Sequence, residues 1–69
     1  MDRDIFINKI EGYTYFELVS EYNFLNTKKM HLEDNIDYLK ENSFVEELSA
    51  ALDAMRKIDD NLAVIKDRL

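Results

Sequence analysis

Sixty-nine residues without a cysteine make one domain at most, with a core too small for comfortable stability alone and no disulfide or thiolate metal site to staple it. Fifteen acidic against nine basic residues give a net charge of −6, which disfavours long-range attraction to duplex nucleic acid or anionic lipid. An apolar share of 46% is too high for a disordered tail, and the apolar runs fall far short of the roughly 20 residues that span a bilayer.

No basic-then-apolar leader opens the chain at Met1-Asp2-Arg3-Asp4, and the lack of cysteine fits a reducing compartment, so a cytoplasmic protein with no membrane partner is expected. The leader, residues 1–12, carries Ile5-Phe6-Ile7 and Ile10, a pattern that suits either a short helix or an extended arm; we favour the helix. Ile5, Phe6 and Ile10 need cover from the rest of the chain or from another subunit. The only glycine, Gly12, divides this leader from a longer body, and the chain has no proline.

Directly after it, Thr14-Tyr15-Phe16-Glu17 reads as a capping box, flanked by Tyr13 and Leu18 at the staple positions. From there Leu18, Tyr22, Leu25, Leu32, Ile36 and Leu39 recur at helical spacing, with Lys29 in the one slot that should be apolar. The pattern predicts helix one over residues 14–40, about 26 residues and roughly 39 Å long. A second box, Ser43-Phe44-Val45-Glu46, predicts helix two over residues 44–69, with Ser43 as its cap. Its stripe is Val45, Leu48, Leu52, Met55, Ile58, Leu62, Ile65 and Leu69. So short a connection makes the two helices antiparallel neighbours, and the fold class is all-α: a single helical hairpin with a short N-terminal segment. Helix one also carries a second apolar row with Tyr15, Val19 and Met30, so assembly into a homo-oligomeric helical bundle is expected.

The residues offer little for catalysis or metal binding. There is no thiol, the one histidine, His31, has no sequence feature that places it beside a serine, and the Glu-x-x-His of carboxylate-bridged bundles is missing. Asp59-Asp60 and the Glu33, Asp34, Asp37 row read as solvated faces. Imitation of DNA phosphates would require longer acidic runs and fewer lysines. One stretch opposes the global charge, Lys28-Lys29-x-His31. It reads most simply as a surface lysine beside a seam lysine that snorkels outward. The functional alternative is a lysine that faces an oligomer joint and holds a phosphate, with Tyr13 near a helix start to stack a base.

Ile10-Glu11-Gly12-Tyr13, the helix start that follows, and Lys28 fifteen residues after the tyrosine resemble the helical-hairpin sponges that phages use against CBASS immunity. Members of that family have an Ile-x-Gly-Tyr entry, a long helix with an Asn and an Ile-Lys pair, a short connection and a second long helix. They sequester cyclic di- and trinucleotide signals. Here Asn26 falls one place later than the family Asn, Thr27 replaces the Ile before Lys28, and the nearest counterpart of a late arginine is Arg68. The resemblance covers residues 10 to 40. It implies a non-enzymatic protein of the host cytoplasm, without a cofactor, that binds a cyclic oligonucleotide between subunits of a homo-oligomer. Tyr13 would stack on a base beside Gly12, and Lys28 would contact a phosphate. Two other classes stay open. Ser49-Ala50-Ala51-Leu52-Asp53 is similar to the Ser-Gln-Glu-Leu-Asp motif of the small hairpin aspartyl phosphatases that act on response regulators, with Asp53 as the residue to test. A coiled-coil adaptor or inhibitor that binds a partner protein needs no special residue.

Overall fold

A computed structural model describes residues 2–69 as three helices: α1 (Arg3–Ile10), α2 (Tyr15–Glu41) and α3 (Val45–Arg68), with no strand among the described residues. With 27 residues at about 1.5 Å each, α2 runs the full 42 Å length of the molecule. The α2–α3 hairpin is the frame, and α1 folds back to lie mainly on α3. The leader is therefore a helix of the core, and not merely a segment that precedes it.

Each boundary has a local cause. Glu11 at φ −61°, ψ 128°, Gly12 at φ +84° and a Tyr13 N–H donated to the Ile10 carbonyl at 3.0 Å make a type II turn, which requires a glycine at its third position. The α2 capping box forms as its residues predict: the Thr14 hydroxyl accepts from the Glu17 N–H at 3.2 Å, and the Glu17 carboxylate accepts from the Thr14 N–H at 3.1 Å.

The second box does not form. Ser43 has φ +57°, whereas an N-cap needs an extended backbone, and Phe44 takes the N-cap place of α3 with no side-chain hydrogen bond. Ser43 instead closes α2. Its N–H donates to the Lys40 carbonyl at 3.3 Å and the Phe44 N–H donates to the Leu39 carbonyl at 3.1 Å, the paired bonds of a Schellman motif. Phe44 then leans on Tyr38, ring centroids 6.5 Å apart. Because a left-handed serine is strained where glycine is not, Ser43→Gly is expected to raise stability by about 1 kcal/mol. Urea denaturation checks this: an unchanged or lower midpoint would remove the Schellman assignment.

The core has two centres. The larger joins Phe6 and Ile10 of α1 to Leu18 and Leu25 of α2 and to Ile58, Val64 and Ile65 of α3; the smaller joins Ile36, Leu39 and Ala51 near the connection. The α2 stripe is buried as expected, with Tyr22 and Leu32 at its margins. The α3 stripe is rotated. Val45, Leu52 and Leu69 are exposed, while Ala51, Asn61 and Val64 are buried instead. Ala51 packs against Ile36 and Leu39 of α2 near the connection, whereas Asn61 and Val64 are buried because α1 covers a flank of α3 that a two-helix hairpin would leave in water. Phe6 and Ile10 thereby lose all but 1% of their exposure, and Ile5 stays outside.

Candidate functional site

Lys29, the charge within the apolar stripe, reaches Asp59 of α3 at 2.7 Å, and this partner holds the ammonium above the usual lysine range. The snorkelling lysine is thus a cross-helix tie. Lys9 makes a similar tie from α1 to Glu21 of α2 at 2.9 Å. Lys28 makes no ion pair among the described residues; its ammonium lies 5.8 Å from the ring centroid of Phe24, one turn before it.

Lys28 lies on the wall of a groove of about 480 Å³ between α2 and α3. His31 and Asn35 continue the α2 wall, Asp53 and Lys57 stand on the α3 wall, and Leu32, Ala50, Ala54 and Ile58 give apolar surface between them. The two alanines account for the opening, since larger side chains there would fill it. A smaller depression adjoins the groove, lined in part by Phe6 of α1 and sharing Lys28 and Ile58 with it. Lys28 therefore stands where the cover given by α1 ends and the open groove begins.

Asp53 sits between cations. Its carboxylate accepts from Arg56 at 2.8 Å and faces Lys57 at 3.5 Å, and these two, Arg56 first, hold its pKa below the usual carboxylate range. No three His, Asp or Glu side chains come together as a metal set among the described residues, and no described helix is long and apolar enough to cross a membrane.

Tyr13 and Gly12 lie elsewhere. Tyr13 is half-buried against the larger core centre at the α1–α2 turn. A Cβ placed on Gly12 would meet nothing within 4 Å, so the backbone there is open to approach. Tyr13 and Lys28 are separated by about 22 Å along the α2 direction, so within one chain they do not form one site. The capping box satisfies the Thr14 and Glu17 N–H groups, while the first-turn amides of Tyr15 and Phe16 take no part in it.

The sequence pointed to Lys28 and His31 but not to Lys57 and Asn35 as their companions. Asn35 shares their face of α2 by helical spacing, and the pairing of α2 with α3 brings Lys57 to the same groove. Compared with protein-family models, curated proteins and solved structures, the chain matches none. The fold defines the class, an all-α hairpin with an apposed N-terminal helix, and the groove carries the functional argument.

Proposed function

We propose that this chain is a non-enzymatic sponge that binds and sequesters cyclic di- or trinucleotide immune signals as a homo-oligomer, and so blocks a host antiphage defence. The observation that supports this reading is the Lys28 groove. In a chain of net charge −6, it gathers Lys28, Lys57 and His31 around apolar surface that can take a nucleoside, and Arg56 engages its one carboxylate. A dianion needs such a local concentration of cations to overcome the global charge.

Self-association is supported by the opposite flank of the hairpin. At about 100° per residue, Tyr15, Val19 and Met30 fall on one side of the α2 core stripe and Lys28 on the other. Tyr15 is 70% and Met30 66% exposed, and Val45 and Leu52 of α3 are also uncovered. Because Tyr13 cannot reach Lys28 of its own chain, its stacking role requires a second copy. The adaptor reading draws on the same exposed rows, with a foreign helix in place of the second copy.

Isothermal titration against a panel of cyclic di- and trinucleotides tests the proposal. The parent should bind at least one of them, Lys28→Ala should weaken that binding by about tenfold or more, and Lys40→Ala, at the far end of α2, should change little. Absence of heat from the parent with every ligand would end the sponge reading and leave the adaptor.

A further inference from the structure

Asp53 looks at first like an obstacle, because a carboxylate on the wall of an anion site repels its ligand. Its surroundings reverse that. Arg56, which does not line the groove, takes the shorter contact with Asp53 at 2.8 Å, while Lys57 stays at 3.5 Å, beyond a good hydrogen bond. Lys57 faces the other carboxylate oxygen in a loose ion pair, and since an ammonium carries three donors, at least two remain for a ligand. Lys28, with only a ring contact, keeps its own on the opposite wall. The two walls belong to helices whose axes lie about 8–10 Å apart, with Ala50 and Ala54 leaving room between them. A body that fills such a groove meets one cation at each edge.

We propose that the α2–α3 groove grips a ligand with two phosphates on opposite edges of an uncharged body, Lys28 holding one and Lys57 the other, while Arg56 acts as a positioning residue that shares the charge of Asp53 and so loosens its hold on Lys57. This rests on the sponge reading and narrows it to a cyclic dinucleotide, whose two phosphodiesters sit on opposite edges of its ring. The groove volume, about 480 Å³, lies within the ~300–1,000 Å³ usual for small-molecule sites.

The signs of three substitutions separate this arrangement from a single-lysine contact. Lys57→Ala should weaken binding of 3′,5′-cyclic diadenosine monophosphate by about tenfold. Arg56→Ala should weaken it by roughly threefold to fivefold, although Arg56 is outside the groove, because Asp53 then holds Lys57 more tightly. Asp53→Asn should tighten binding by about threefold or more, and combining it with Arg56→Ala should cancel the Arg56 defect. All three positions are at least partly exposed, so the variants should keep the parent circular dichroism. Amide chemical-shift titration of the parent with the cyclic dinucleotide, and separately with inorganic pyrophosphate, completes the test. The cyclic dinucleotide should shift Lys28 and His31 on one wall and Asp53 and Lys57 on the other. If it binds with Lys57→Ala and Asp53→Asn unchanged, or shifts α2 alone, the two-walled grip is wrong and the sponge stands. If pyrophosphate shifts both walls and no cyclic nucleotide binds, the sponge fails, the groove remains an anion site and the cyclic-dinucleotide assignment falls. If neither probe shifts both walls, the groove proposal is overturned.

Discussion

Phe6→Ala is expected to remove a large part of the chain's stability at 25 °C. Phe6 is 1% exposed and belongs to the larger core centre, and truncating a buried phenylalanine costs about 3–5 kcal/mol. A domain of 69 residues has roughly 3.5–10 kcal/mol in total. One substitution in an eight-residue helix should thus remove a large part of the whole. Ile5→Ala, one residue away but 58% exposed in the parent, should shift stability by about 0.5 kcal/mol or less. Denaturant titration followed by circular dichroism reads both. A Phe6→Ala midpoint equal to that of the parent would mean that α1 is not part of the core and that the rotated face of α3 needs another cause.

Tyr13→Leu and Lys28→Ala should each lose cyclic-nucleotide binding alone and recover part of it when refolded together. The reason is geometric, since the two positions lie about 22 Å apart along α2 and meet on one ligand only if different copies supply them. Loss of a stacking platform costs about 1–3 kcal/mol per base, so each variant alone should bind at least roughly tenfold more weakly. In a randomly mixed two-fold dimer, half of the assemblies combine the two variants, and each of those rebuilds one intact site and one doubly defective site. About a quarter of the parent sites should therefore return at parent affinity. Leucine at residue 13 keeps the apolar bulk that Tyr13 places against the core, so the folded state is retained. If the mixture binds no better than its components, Tyr13 does not act across a joint, and the ligand site lies within one chain.

What the sequence determined by itself is the set of features with short-range causes. The Thr14–Glu17 box needs only four consecutive residues, the Gly12 turn needs a residue that accepts positive φ, and the α2 stripe follows from the helical period alone. Each of these is decided by neighbours in the chain, and each is present in the structure. Ser43 was beyond that reach because two local motifs compete for it. Ser43-Phe44-Val45-Glu46 can cap the helix that follows, or Ser43 can close the helix before it, and one backbone conformation excludes the other. The end of α2 prevails, and Phe44 makes its ring contact with Tyr38 on the resulting path.

The site was legible in part for the same reason. Lys28 and His31 stand out as basic residues on an acidic chain, but Lys57 looks like an ordinary surface residue until α3 is laid against α2. Likewise, Asn61 and Val64 are buried through a helix more than fifty residues earlier, which no period within α3 can encode. Lys29 has its partner Asp59 through the same antiparallel alignment. Tertiary structure decided these points because they depend on which flank of α3 is covered, and that is settled by where Phe6 and Ile10 find the most apolar surface to share.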